Sequence, residues 1–323
     1  MVLAPSAKTL EEFNLKYKRY RNPALVVIDS VKTYRKQNDP FRFPSVEAVV
    51  YTKNQLDAYN LPEKMRKSKL GRVFKPFYEL SYQDSRLGDT NTYYPFMLIE
   101  LMSNVYRKKG ASIREIIHKF DITGVENDQF APFMSATFQN FNFYDDNQQI
   151  LGKNFIGPLS PFGSAYYKYV LEDSLMIGDM RCYQIRFEPM GLTQREMIYE
   201  GRMWVHDQTW GVRKVELHMN RTANVNFIAG FEIKQEFDID TLNDTWILSN
   251  DEAHLDINPK DFVDFSLNLA EKDTNYRVVV HRFRYFKDYV YNQPASDIFP
   301  AAGNEVDMLE EVRRPKSYWD SIR

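Results

Sequence analysis

A chain of 323 residues that is 43% hydrophobic and 27% charged, with a formal net charge of -2, has the composition of a globular protein and not of a disordered or fibrous one. Its single cysteine, Cys182, excludes an intramolecular disulfide and a cysteine-rich metal cluster. No window approaches the ~18 consecutive apolar residues of a membrane-spanning helix, and the best, residues 93–102, is short and carries Glu100.

Residues 1–6 lack the charged segment and apolar core of a signal peptide. For an exported protein, the signal is therefore expected outside this chain. Charge is distributed unevenly, with 22 Lys/Arg against 12 Asp/Glu in residues 1–120 and 20 against 32 in residues 121–323. The basic clusters are Lys16 to Arg21, Lys64 to Arg72 and Arg107 to Lys109. They would suit an anionic partner such as lipid headgroups, but solvation, or folding against the acidic part, accounts for them more simply. No nucleic-acid recognition signature accompanies them, so nucleic acid is not an expected partner.

In chain order, residues 1–21 show no apolar period and read as an N-terminal tail. Asn22 can cap a helix and Pro23 suits its first turn. Ala24, Val27, Ile28, Val31 and Tyr34 then recur at helical spacing until Asn38-Asp39-Pro40 ends the run. Residues 45–51 read as a strand, 62–70 as a short basic helix, and 93–106 as an aromatic strand interrupted near Pro95. Residues 113–122 fit helix and strand alike. Residues 128–141 read as helix, and 157–163 are too rich in Pro and Gly to be regular.

From Ala165 the period becomes two. Eight strands are expected, at 166–171, 182–187, 199–206, 212–219, 225–239, 246–257, 262–269 and 276–286, joined as an antiparallel meander. In the longest, Val225, Phe227, Phe231, Ile233, Phe237 and Ile239 share one face, while Asn226, Glu232, Lys234, Glu236 and Asp238 share the other. One face is thus dry and the other wet. A long sheet of this kind has to curl around something, and the helix from Pro23 is the expected filler. A membrane barrel would need an outward band free of charge at bilayer depth. Glu200, Arg202 and the charges at 213–216 speak against that. Residues 292–323 read as a C-terminal tail or linker.

Motifs for chemistry are sparse. There is no Gly-x-x-x-x-Gly-Lys loop and no Gly-x-Gly-x-x-Gly turn. The histidines His118, His206, His218, His254 and His281 are scattered; a cross-strand site such as His206 with Asp207 and His218 is conceivable, but no metal is assigned. Ser164 lacks the setting of a nucleophile elbow, and Cys182, though beside Arg181, lies in a strand pattern where a buried, inert thiol is expected. Asp238, Asp240, Asn243 and Asp244 read as a hairpin end and not a calcium loop. The 21 Tyr and 23 Phe raise one binding hypothesis: the concave face carrying Phe227, Phe231, Ile233 and Phe237 would leave a cavity for an acyl chain, unless those rings pack against the covering helix.

An ordered set of segments resembles a known family. These are Asn22-Pro-Ala, Phe141-Asn-Phe-Tyr144 with Asn147, Ser160-Pro161, Tyr166-Tyr167-Lys168-Tyr169, Glu200-Gly201-Arg202-Met203-Trp204-Val205, Trp210 and Val225-Asn226-Phe227. The set is similar to a domain of unknown function from Bacteroidota outer-membrane proteins of the carboxypeptidase-regulatory-like group, over about residues 15–290. The resemblance implies a periplasmic middle piece between a regulatory-like domain and an outer-membrane β-barrel, with no peptidase activity. The expected fold is α+β, with a curved antiparallel sheet forming a half-open, lipoprotein-carrier-like barrel packed on N-terminal helices. A single domain is expected over 22–291, its first part mixed helix and strand and its meander beginning at about 165. The expected function is noncatalytic binding of a partner protein or ligand near the barrel mouth, with the barrel of the same or a partner protein as neighbour. Carriage of lipid or another hydrophobic ligand is the alternative. No catalytic residue and no cofactor are expected.

Overall fold

The computed structural model describes residues 21–61, 67, 75–84, 91–108, 113–124, 141–150, 153–191, 196–220, 228–258, 277–292 and 305–308. Helix α1 (Pro23–Asn38) begins where the capping pattern places it. Asn22 Oδ1 accepts the Ala24 amide at 3.0 Å, and the helix ends as Asp39 turns to extended backbone with its N–H on the Arg35 carbonyl at 2.9 Å. Ala24, Val27, Ile28 and Val31 form its buried face. The strands are β1 (Ser45–Tyr59), β2 (Tyr82–Asp84), β3 (Asn91–Lys108), β4 (Arg114–Gly124), β5 (Asn147–Ile150) and β6 (Lys153–Ile156). They continue with β7 (Tyr167–Ile177), β8 (Met180–Pro189), β9 (Tyr199–His206), β10 (Val212–Met219) and β11 (Ile228–Asp240). The last are β12 (Thr245–Ile257), β13 (Arg277–Tyr291) and β14 (Glu305–Met308). Two short helices, α2 (Lys75–Tyr78) and α3 (Gly163–Tyr166), complete the set.

Twelve strands make one open, curved sheet in the order β14-β4-β3-β1-β13-β12-β11-β10-β9-β8-β7, with β2 beside β3; β5 and β6 form a separate hairpin. From β7 to β13 each strand pairs antiparallel with the next, so an antiparallel meander is present as expected, with β13 directly beside β12 where the expected order had a strand at 262–269 between them. The first part of the chain does more than cover this meander. β1 inserts between β13 and β3, and β3 carries β4, so the N-terminal strands extend the same sheet. β14 pairs parallel to β4, a departure from the antiparallel expectation.

The strand from Ser45 runs to Tyr59, beyond the expected 51, because its later inner-face positions are Thr52 and Asn54 and hide the apolar alternation. Pro95 bulges the strand without breaking it: Leu56 faces Met97 and Asp57 faces Pro95, leaving Phe96 as the extra residue. The ambiguous stretch at 113–122 is strand β4, fixed by its ladder with β3. The expected helix at 62–70, apart from Lys67, the expected helix at 128–141, apart from Phe141, and the expected strand at 262–269 lie outside the described residues.

The concave face has a second filler besides α1. Residues 141–150 and 153–159 lie under the meander, and Phe143, Tyr144, Phe155 and Leu159 are fully buried within the main core. Several polar anchors hold them there. Gln235 Nε2 donates to the Phe141 carbonyl at 2.9 Å while its Oε1 accepts the Phe143 amide at 3.3 Å. Tyr169 Oη donates to the Pro158 carbonyl at 2.6 Å, and Tyr144 Oη accepts the Val212 amide at 2.8 Å. Helix α1 is tied to the sheet edge by Asn22 Nδ2, which donates to the Tyr169 carbonyl at 2.9 Å.

The expectation of one dry and one wet face fails around β1, β12 and β13. There Asp57, Tyr59, His254, Asp256 and Val279 are buried on the convex side, where Tyr82 of β2 and Tyr93 of β3 pack over Tyr59 and Val279. Polar side chains on a covered face stay because they bond one another.

Candidate functional site

Phe231, Ile233 and Phe237 lie side by side on the inner face of β11, each nearly fully buried, while Phe227 lies outside the described residues. Their neighbours are rings from the filling segment. Phe155 meets Phe231 edge-on at 5.3 Å between centroids and stacks on Tyr199 at 5.1 Å, and Tyr144 meets Phe237 edge-on at 5.7 Å. The interruption of the apolar register at Gln235 is where the sheet grips the backbone of that segment. Its amide is the polar signal that marks the concave face as occupied by protein.

An open cleft of about 560 Å³ lies elsewhere, where the last turn of α1 meets the ends of two hairpins. It is lined by Tyr34, Lys36, Gln37 and Asn38 of α1, Arg42 before β1, Gln208 and Thr209 of the β9–β10 turn, and Ile239, Asp244, Thr245 and Trp246 around the β11–β12 turn. That volume lies in the range of small-ligand pockets. Local structure sets each wall. Asn38, buried at the helix end, donates from Nδ2 to the Thr209 carbonyl at 2.8 Å and so fastens α1 to the β9–β10 turn. Asp39 Oδ1 accepts the Phe41 amide at 2.9 Å and its carbonyl accepts the Arg42 amide at 3.1 Å, an Asx-type turn that positions Arg42. Ile239 and Trp246 are directly paired across β11 and β12 and form the floor. Trp210 takes the left-handed conformation (φ 59°) so that Gly211 can pass directly against the Trp246 indole.

The lining of this cleft is polar and carries two cations, Lys36 and Arg42, against one acid, Asp244. Thr245 is 2% exposed, and its Oγ1 has no hydrogen-bond partner. Among the described residues neither Lys36 nor Arg42 forms an ion pair, and the Arg42 guanidinium lies 4.7 Å from the Phe43 ring. These residues come from four separate segments and follow no spacing rule, which is why no motif in the sequence marks them.

The scattered histidines come together in one place, on the convex face. His254 Nδ1 and His281 Nδ1 are 2.7 Å apart, His281 Nε2 lies 3.1 Å from Asp57 Oδ2, and the Tyr82 hydroxyl donates to the same carboxylate oxygen. Gln55 Nε2 donates to both Asp57 oxygens at 2.9 and 3.1 Å. This chain can pass a proton, but Asp57 and His254 are buried and join strands β1, β12 and β13. His206 and His218 do not share a site: His206 faces Thr209 Oγ1 at 2.9 Å and Asp207 at 3.9 Å, and His218 faces Glu232 at 3.8 Å. Among the described residues no three His, Cys, Asp or Glu side chains are placed to hold a metal ion.

Cys182 is fully buried and burial pushes its thiol up to about 11, so it is an unreactive thiol near neutral pH. Asp240 accepts the Leu242 amide at 3.0 Å and Asn243 Nδ2 at 2.8 Å, which spends its lone pairs on closing the hairpin.

No curated protein matches the sequence significantly. Among solved structures, the chain is similar to a DUF1329 family protein from Desulfovibrio piger, at 10% identity over 86% of this chain and 96% of that one, with a TM-score of 0.33. It is also similar to an outer membrane lipoprotein-sorting protein domain from Vibrio parahaemolyticus, at 9% identity over 85% and 95% with a TM-score of 0.31. A third is a LolA superfamily protein from Nitrosomonas europaea, at 9% identity over 86% and 97% with a TM-score of 0.28. The profile of a family of unknown function, DUF5686, matches residues 26–272, well over half of the sequence, and the chain therefore belongs to that family.

Proposed function

We propose that this chain is a noncatalytic periplasmic module of a Bacteroidota outer-membrane β-barrel protein, and that it binds a partner protein or ligand near the barrel mouth through the cleft at the end of α1. One observation carries the reading: the concave face is occupied by the chain's own rings, while the cleft keeps a buried hydroxyl at Thr245 and two cations that have no carboxylate partner among the described residues. Unsatisfied buried polar atoms are rare in folded proteins, and each costs about 1–3 kcal/mol unless water or a ligand meets it. A site that keeps one beside an open volume fits binding better than packing.

The alternative is carriage of lipid or another hydrophobic ligand. Its support is that the polar anchors of the filling segment named above are few, two hydrogen bonds at Gln235 and one each at Tyr144 and Tyr169. If it swung out, Phe231, Ile233 and Phe237, with Phe227, would become the acyl-chain contacts. Native mass spectrometry on protein purified from its own cell envelope separates the two. The binding module is expected at its bare mass, and a retained acyl-chain mass would favour the carrier. A photo-crosslinking side chain at Gln208 in the cleft should give an adduct in cells that the same group at Leu242, 92% exposed on the adjacent turn, does not give.

A further inference from the structure

Resting on the cleft reading above, we propose that the cleft takes an acidic polypeptide segment, a short extended run of backbone amides bearing Asp or Glu side chains. The lining carries two cations, Lys36 and Arg42, against one acid, Asp244. Lys36 is exposed on the last turn of α1 and Arg42 half-buried beyond it, and neither has a carboxylate partner among the described residues. Carboxylates of an incoming segment supply those partners.

The remaining lining distinguishes a polypeptide from other anions. Gln37 and Gln208 contribute side-chain amides from α1 and the β9–β10 turn. Each primary amide offers donors and an acceptor together, the complement of a peptide bond. Thr245 Oγ1 adds a buried hydroxyl that has no internal partner, again able to donate and to accept. Inorganic phosphate would use the cations and leave the amides and the volume of about 560 Å³ unused. An acyl chain would bury these polar groups against methylenes, which costs free energy for each unpaired group. The apolar part of the lining is Tyr34, Ile239 and the edge of Trp246, enough for one or two side chains of a segment and too little for a lipid tail. Asp244, on the turn, meets the N–H groups of the segment and keeps a second carboxylate away from that end.

The test uses the full chain and a fluorescently labelled pentapeptide, acetyl-Gly-Glu-Phe-Glu-Gly-amide, followed by anisotropy. The comparison probes are the same peptide with Lys in place of Glu, inorganic phosphate, and lysophosphatidic acid below its micelle concentration. The acidic peptide is expected to bind, more weakly as salt rises, and to lose about fivefold in affinity in each of Lys36→Gln, Arg42→Gln and Thr245→Val. Thr245→Val removes a hydroxyl with no bond inside the fold, so its thermal midpoint should hold or rise while its affinity falls; a purely structural role would not separate the two. Equal binding of the lysine peptide would overturn the acidic assignment, and binding of phosphate or the lysolipid in place of the acidic peptide the polypeptide one, each while leaving the cleft as a binding site. Absence of binding by every probe, with all three variants indistinguishable from the parent, would overturn both.

Discussion

Gly211 is where the cleft floor is most sensitive to a single atom. A Cβ built there lies 2.3 Å from both Cε2 and Nε1 of Trp246, whereas ordinary contact begins near 3.4 Å, so in Gly211→Ala the indole or the strand must move by about 1.1 Å. Gly211 is not in the left-handed region, so the penalty is this contact and not backbone strain. Trp246 is 3% exposed, but one edge borders the cleft, so the indole has somewhere to go. Overpacking of this size costs about 1–3 kcal/mol, which for a chain this long lowers the thermal midpoint by roughly 1.5–4 °C. Displaced into the cleft, the ring also takes up volume that a ligand would use. The assay is thermal unfolding by circular dichroism together with the tryptophan emission maximum, which shifts as the indole becomes wetter. A Gly211→Ala protein with unchanged midpoint and unchanged emission would refute the placement of Trp246 as the cleft floor.

Asn54 is fully buried on the inner face with neither amide atom bonded. The near-isosteric Asn54→Leu should therefore raise stability by about 1–3 kcal/mol in urea unfolding, and a loss of more than 1 kcal/mol would show that the amide has a partner. Glu172 accepts from Arg202 Nε at 2.9 Å, Gln184 Nε2 at 2.8 Å and Arg186 Nε at 2.6 Å, and these bonds, Arg202 first, hold its carboxyl down at about 2 against an ordinary 4.5. Because the folded value is the depressed one, its stabilisation is complete above pH 4.5 and is lost as pH falls from there towards 2. Urea midpoints of the parent should fall across that window more steeply than those of Glu172→Gln, with the difference reduced in high salt. Glu115 Oε2 lies 3.5 Å from the Arg284 guanidinium, both buried. Glu115→Gln should cost about 3–5 kcal/mol, whereas the double replacement of both residues by apolar ones should cost less than the sum of the singles; strict additivity in a double-mutant cycle would deny the pair.

How much of this was legible in the sequence differs by element. Strand β10 and helix α1 were readable because their burial is governed by local period: Ala24, Val27, Ile28 and Val31 at helical spacing, and alternating residues over 214–219; in β9 that period is blurred, since Met203 to His206 are all buried. The apolar face of β11 was readable for the same reason, but what covers it was not. Phe143, Tyr144 and Phe155 lie in a segment whose Asp, Asn, Gly and Pro content marks it as turns, and nothing in its period says that its rings point under a sheet. The far end of β1 was missed because buried Thr52, Asn54 and Asp57 mimic a solvent-facing pattern. The His254, His281 and Asp57 cluster brings together positions nearly 200 residues apart through β1–β13 and β12–β13 register, which a linear reading does not contain. The cleft was hidden for the related reason that its Lys36, Arg42, Gln208 and Thr245 each look like ordinary surface or turn residues in their own segments.

The buried charges on the inner face also explain how the two parts of the sheet hold their curvature. Glu115 is on β4 and Arg284 on β13, and β3 and β1 lie between them. In a flat sheet three interstrand spacings of ~4.8 Å put those strands about 14 Å apart, near the limit of what an arginine and a glutamate can span together. Their approach to 3.5 Å is achieved by closing the concave side, and Ser103 on β3, donating to Glu115 Oε1 at 2.6 Å, sets the carboxylate in between. Next to it Arg282 is paired with Asp251 of β12 at 2.7 Å, and Asp251 also accepts from Gln235 of β11 at 3.3 Å. Burial works against the charge on Arg282, with Asp251 opposing that effect. Such pairs add little net stability over apolar packing, but they penalise any register in which one partner is left alone. That penalty falls on β13, the strand that joins the meander to the N-terminal strands, where a shift by one residue would turn both arginines away from their acids. From Asp251 the same network continues through Gln235 to the Phe141 carbonyl. The polar residues that set the register of the sheet therefore also seat the segment that fills it, while Lys36 and Arg42, beside the end of α1, are left without a carboxylate partner among the described residues.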